Sequence, residues 1–164
     1  NDEIANIMRQ IRVHGQDRRY HHPRLGVNGR MDTIQAAILL AKLEIFDGEV
    51  KSREEIGERY TKLILECCDG IIPPYIEEQN TSVYAQYTVL VENRDEVQKA
   101  LSKENIPTAI HYPISLNRQP IFEMESYKLD VADSISKKVM SLPMHPYLEL
   151  RDQDAIILAA SVTG

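Results

Sequence analysis

The chain contains two cysteines only, Cys67 and Cys68, and they are adjacent. Neighbours this close build no disulfide framework, which suits a reducing compartment and sets the expectation of a cytoplasmic protein. No apolar run approaches the roughly 18 residues of a bilayer span, so no membrane partner is expected. Positive charge is in deficit: 19 Lys and Arg against 25 Asp and Glu leave a net charge of −6. That balance argues against nonspecific nucleic-acid binding, which needs a basic face. His14, His21, His22 and His145 show no zinc-ligand spacing, and adjacent His21 and His22 point apart on regular structure, so no metal is expected. There is no Walker loop, dinucleotide fingerprint or Ser-His-Asp set, and no internal repeat. What remains is an ordinary globular composition, 43% hydrophobic and 27% charged over 164 residues, enough for one domain with its own core.

Periodicity divides the chain into two regions. Ile4, Ile7, Met8 and Ile11 recur at helical spacing over residues 2–13, followed by a polar loop over 16–30. Residues 32–47 predict a helix that is apolar nearly all round, which implies cover from another domain or a second subunit. Residues 49–67 predict a further helix with Ile56, Tyr60, Leu63, Ile64 and Cys67 on one stripe, stopped by Gly70 and Pro73-Pro74. Beyond this point strands and helices alternate: strands over 83–91, 108–111 and 139–142, and helices over 95–103, 131–138 and 152–160. The reading is an α/β fold, a small sheet with helices on one face preceded by a helical connector, with the boundary near Pro73-Pro74.

Chemistry concentrates at Gly26-Val27-Asn28-Gly29-Arg30-Met31-Asp32, directly ahead of the apolar helix. Asp32 stands three residues before Gln35, the spacing of a capping box. A polar loop feeding a helix N-terminus suits an anion; Asn28 can donate to a phosphate oxygen, and Arg30 can pair bidentately with a carboxylate or phosphate. The same residues also read as an ordinary turn, with Asn28 beside Gly29. Arg9, Arg12, Arg18, Arg19, Arg24 and Arg30 form a local basic cluster that either steers an anionic substrate or is a solvated surface.

Four ordered segments carry a resemblance. They are His14-Gly15-Gln16-Asp17-Arg18-Arg19-Tyr20-His21-His22; Leu25 to Asp32 with Gln35-Ala36-Ala37-Ile38-Leu39; Ile110-His111-Tyr112-Pro113 with Gln119-Pro120; and Ser141-Leu142-Pro143-Met144-His145-Pro146. As a set they resemble the pyridoxal phosphate (PLP)-dependent sugar aminotransferases of the DegT/StrS type, which install an amino group on a nucleotide-linked keto-sugar. The likeness is greatest to the branch acting on a UDP-linked 2-acetamido-3-keto-hexuronic acid in O-antigen synthesis.

The resemblance implies a C-terminal portion of a fold-type I aminotransferase. Residues 1–73 would be a helical connector and remnant of the large PLP domain, and 74–164 the small C-terminal α/β domain. The family's cofactor-anchoring lysine has no counterpart here, and the chain opens at Asn1 without Met, so no catalytic residue is assigned and the chain alone is expected to be inactive. By the same resemblance Asn28 binds the cofactor phosphate of a partner subunit, and Arg30, His111 and Tyr112 bind the nucleotide-sugar substrate. The implied partners are that substrate, an amino-acid donor (glutamate) and a second copy of the chain. The alternatives are a non-catalytic dimerisation or binding module, or part of a PLP sugar dehydratase of the same fold.

Overall fold

The computed structural model describes residues 1–122 and 128–161. Its elements are α1 (Asp2–Arg12), α2 (Thr33–Cys67), β1 (Ile71–Ile72), β2 (Tyr87–Val91), α3 (Arg94–Lys103), two 3-10 turns (Leu116–Arg118 and Pro120–Phe122), α4 (Asp130–Lys138), β3 (Val139–Leu142) and α5 (Leu150–Ser161). The chain forms two compact units, Asn1–Phe46 and Asp47–Gly164, whose boundary falls within α2. The composition shift at Pro73-Pro74 lies inside the second unit.

In the first unit α1 starts at Asn1, whose side chain accepts from the backbone N–H groups of Glu3 and Ile4. The polar loop that follows folds back on the end of α1. Val27 N–H donates to Ile11 O at 2.8 Å, His14 N–H to Val27 O at 2.9 Å and Gly29 N–H to Arg12 O at 2.9 Å. Gly15 and Gly26 permit this approach. A Cβ on Gly15 would stand 1.8 Å from Arg24 O, and Gly15 has φ +73°. A Cβ on Gly26 would stand 2.0 Å from Gly15 N. Residues 33–46 of α2 bury no side chain; Ile34, Ile38, Leu40, Leu43 and Phe46 are all exposed. The cover that the sequence leads one to expect for this helix is not seen among the described residues.

The second unit is built on a three-stranded antiparallel sheet of order β1-β2-β3. Directly paired residues share a face, so Ile71 with Val91, Val89 with Met140 and Tyr87 with Leu142 form one apolar layer. That layer joins Ile56, Tyr60 and Ile64 of α2, Val97 and Leu101 of α3, and Ile156, Ile157 and Ala160 of α5 in one core. Polar groups inside it are paired. Tyr60 Oη donates to Pro143 O at 3.0 Å, and Thr61 Oγ1 lies 2.7 Å from Tyr87 Oη. Gln153, fully buried, donates to Ile56 O at 2.9 Å and accepts from Arg59 at 3.3 Å.

Three local expectations change. The helices expected over 32–47 and 49–67 are one 35-residue helix. Gly48 in its interior costs about 1 kcal/mol against alanine, too little to stop a helix with strong formers on both sides. The strand expected from Val83 begins only at Tyr87, because the carbonyls of Val83, Tyr84 and Ala85 accept from the Arg53 guanidinium and Tyr84 has φ 41°. The strand expected over 108–111 reduces to a single bridge, Ala109 with Ser141. One element has no counterpart among those expectations: strand β1, two residues between Gly70 and Pro73, is too short to show a period in the sequence.

Candidate functional site

Asn28 and Arg30 come together in the first unit. Arg30 Nε donates to Asn28 Oδ1 at 3.0 Å, and both side chains are exposed. The pairing uses only the oxygen of the amide and one edge of the guanidinium. Among the described residues, Asn28 Nδ2 and the two terminal nitrogens of Arg30 take no protein partner. The backbone bonds flanking Asn28, from Val27 and Gly29 to the end of α1, fix where these donors sit. The result is a local set of N–H donors, one neutral and one cationic, carried on an anchored loop and suited to an anion.

The start of α2 behaves as half of a capping box. Asp32 Oδ1 accepts from Gln35 N–H at 2.9 Å, while the return bond from Gln35 is not formed among the described residues. The basic cluster is largely self-engaged. Arg24 donates to Gln10 at 3.1 Å, Arg19 stacks 4.9 Å over the Tyr20 ring, and Arg18 lies 3.6 Å from Asp17. His21 Nδ1 sits 2.7 Å from Asp17, which holds the Asp17 carboxyl below the usual carboxylate range. His22 Nδ1 lies 3.0 Å from His14 O.

His111 and Tyr112 belong to the second unit and touch each other edge to face, with ring centroids 5.8 Å apart. Both are exposed, Tyr112 by 74%. They follow the Ala109–Ser141 bridge, whose two backbone bonds measure 2.7 and 3.2 Å. Among the described residues, segment 110–114 makes no backbone hydrogen bond of its own. It is held from its ends.

The far end is fixed by residues the sequence reading did not select. Asp133, in the first turn of α4, accepts from Ser115 Oγ at 2.8 Å, Asn117 Nδ2 at 3.2 Å and Arg118 Nε at 3.0 Å, with a further bond from Arg118 Nη2. The Arg118 guanidinium, then Ser115, hold the Asp133 carboxyl far below the usual carboxylate range. A cleft of about 300 Å³ beside this cluster is lined by Pro113, Ile114, Ser115, Arg118 and Lys137 among others. No linear spacing announces such a set, because its donors lie 15 to 18 residues from the acceptor.

The cofactor that the sequence resemblance implies is held covalently by a lysine, and none of this chain's lysines is buried. Seven of the eight lysines are exposed, and Lys138 is half-buried and paired with Glu92 at 2.6 Å. The free donors of Asn28 and Arg30 fit only an anionic end of such a group, its phosphate.

The chain is 55% identical over 148 residues to the UDP-2-acetamido-2-deoxy-3-oxo-D-glucuronate aminotransferase of Pseudomonas aeruginosa, covering 90% of this chain and 41% of that protein. It is 37% identical over 160 residues to a "pleiotropic regulatory protein" of Geobacillus stearothermophilus, covering 95% of this chain and 43% of that protein. The fold superposes on a crystal structure of a DegT/DnrJ/EryC1/StrS aminotransferase from Brucella abortus with a TM-score of 0.90 at 36% identity, covering all of this chain and 44% of the other. This chain therefore spans less than half the length of the relatives it matches. The sequence profile of the DegT/DnrJ/EryC1/StrS aminotransferase family matches residues 1–161, and the chain belongs to that family.

Proposed function

We propose that this chain is the C-terminal portion of a PLP-dependent aminotransferase. It moves an amino group from an amino acid, glutamate in our reading, to a UDP-linked 3-keto-sugar of the 2-acetamido-hexuronate type in surface polysaccharide synthesis. The observation that carries the reading is the 55% identity to the Pseudomonas aeruginosa enzyme over 90% of the chain. When bound, PLP supplies the electron sink for the amino-group exchange.

This chain's own residues bind and orient. Asn28 offers its free amide N–H groups to the cofactor phosphate, adding a hydrogen bond to the dianion without adding charge. Arg30 presents its terminal nitrogens to a uronate carboxylate or a diphosphate, where a planar fork pairs bidentately. His111 and Tyr112 contact the sugar nucleotide from an exposed loop with fixed ends. Residues 1–73 serve as connector and remnant of the large domain, and 74–164 as the small domain. In a homodimer Asn28 acts on the partner subunit's cofactor. The exposed apolar residues at the start of α2 support a face covered by another subunit or by the remainder of the protein. We place this enzyme in the cytoplasm; no helix among the described residues is long and apolar enough to cross a membrane.

The test uses the full-length protein: borohydride trapping of PLP, mass-spectrometric mapping of the labelled lysine, and a transamination assay with glutamate and the UDP-keto-sugar. A single labelled lysine outside these 164 residues is expected. A label on one of the lysines here overturns the division of labour. Asn28→Ala is expected to weaken PLP binding about tenfold or more, since hydrogen bonds to charged groups are worth about 1.5–3 kcal/mol. A second reading, a binding or assembly module without catalysis, draws support from the regulatory name of the Geobacillus relative. It predicts neither a labelled lysine nor turnover.

A further inference from the structure

The geometry points to Asp133 as the positioning residue of the substrate loop: its carboxylate, clamped by Ser115, Asn117 and Arg118, sets where His111 and Tyr112 stand. The inference rests on the proposed function, which assigns those two side chains to the sugar nucleotide.

The loop carries no ladder of its own. Upstream, Ala109 is locked to Ser141 of β3 by two backbone bonds. Downstream, residues 115–118 close a 3-10 turn, with Arg118 N–H to Ser115 O at 2.9 Å and Gln119 N–H to Leu116 O at 3.1 Å. That turn is joined to α4 through one carboxylate, which takes bonds from three side chains. α4 runs directly into β3, so both ends of the loop are referred to one strand. Residues 110–114, Pro113 included, span the gap without other backbone bonds among the described residues. Asp133 is the shared acceptor, so losing it releases all three donors at once. Its side chain is only 19% exposed, while Arg118 is 57% exposed, so water replaces the clamp poorly on the acid's side. Charge-assisted and bidentate bonds of this kind are the ones that hold geometry.

The experiment uses the full-length holoenzyme with Asp133→Asn, Arg118→Leu and the double variant, and Asp130→Asn as a control at the same helix start. Hydrogen exchange of the peptide covering Ser115–Gln119 reads the clamp directly. Exchange of β3 and α5 reads folding. KM is measured separately for nucleotide sugar and amino donor.

In Asp133→Asn we expect the amides of Arg118 and Gln119 to exchange about tenfold faster or more, with the sheet unchanged, because charged hydrogen bonds are lost locally. KM for the nucleotide sugar is expected to rise about tenfold, since misplacing a contact group by about 1 Å costs up to about a hundredfold. KM for the donor stays within about twofold on the same ground. Arg118→Leu, which leaves Ser115 and Asn117 on the carboxylate, should shift both readouts in the same direction but less, and the double variant should add little to Asp133→Asn. Unchanged exchange at 118 and 119, additive losses, or equal rises in both KM values overturn the proposal. Faster exchange with both KM values unchanged keeps the clamp and instead removes His111 and Tyr112 from the substrate site. Should Asp133→Asn fail to fold, Arg118→Leu, at an exposed side chain, carries the same test.

Discussion

Replacing Gly26 by alanine should unfasten the Asn28 loop while leaving the rest of the protein folded. The added Cβ would meet Gly15 N at 2.0 Å, His14 C at 2.4 Å and Ile11 O at 2.6 Å. All three are backbone atoms, so no side chain can rotate away. Overpacking of this kind costs about 1–3 kcal/mol. The loop holds to α1 through three backbone bonds, from Val27, His14 and Gly29, each worth about 0.5–1.5 kcal/mol net. The strain is therefore comparable with what keeps the loop closed, and a local loss of about 2 kcal/mol corresponds to roughly thirtyfold in the opening equilibrium. Amide exchange at His14, Val27 and Gly29 should accelerate by that factor. The sheet amides of Tyr87 to Val91 should not respond. Gly29→Ala is the matched control, because its nearest atom would be the Arg12 Cγ at 3.4 Å, an ordinary contact. If Gly26→Ala leaves exchange at those three amides within about threefold of wild type, the steric argument fails, since the predicted strain exceeds that by about 1 kcal/mol. If Gly29→Ala loosens them equally, the loop is fragile for another reason.

Other outcomes follow from single sites. Burial pushes the Tyr87 hydroxyl up to about 12, with Thr61 partly opposing, and pushes Tyr60 higher still. A raised tyrosine pKa contributes stability that is fully present below the unfolded value near 10 and is lost as pH rises through the folded value. Urea unfolding should therefore weaken between pH 10 and 12, and Tyr87→Phe should flatten that slope by about 1.4 kcal/mol per pH unit. Gly48→Ala should stabilise the chain by about 0.5–1 kcal/mol in urea titration, because a Cβ there meets nothing within 4 Å and the helix interior gains a better former. Asp32→Ala should fray the first turn of α2, costing about 0.5–2 kcal/mol of local stability and exposing the Gln35 amide to exchange. An unchanged Gln35 amide would show the cap to be idle.

Local chemistry was legible in the sequence because it acts over a few residues. The stripe Ile56, Tyr60, Leu63 and Ile64 marked the helix face that enters the core, although Cys67, placed on the same stripe, is exposed and Cys68 is buried in its stead; the Val and Tyr residues of 83–91 marked a strand. Asp32 three residues before Gln35 announced the cap that forms. The ordered segments from His14 to Pro146 were enough to indicate the family, to which the chain belongs. The apolar residues of 33–46 stated a need for cover, and among the described residues their side chains stay exposed.

Tertiary structure decided what depends on distant partners. Arg53 claims the carbonyls of Val83, Tyr84 and Ala85 from 30 residues away and so delays the start of β2. Ala109 pairs with Ser141 but cannot extend into a strand, and two residues around Ile71 become one by lying beside Leu90 and Val91. The anion-ready pairing of Asn28 with Arg30 and the Asp133 clamp exist only as arrangements in space. A sequence shows which donors and acceptors the chain carries, and burial then obliges them to find partners. Which partner each one finds is set by the packing of elements far apart along the chain.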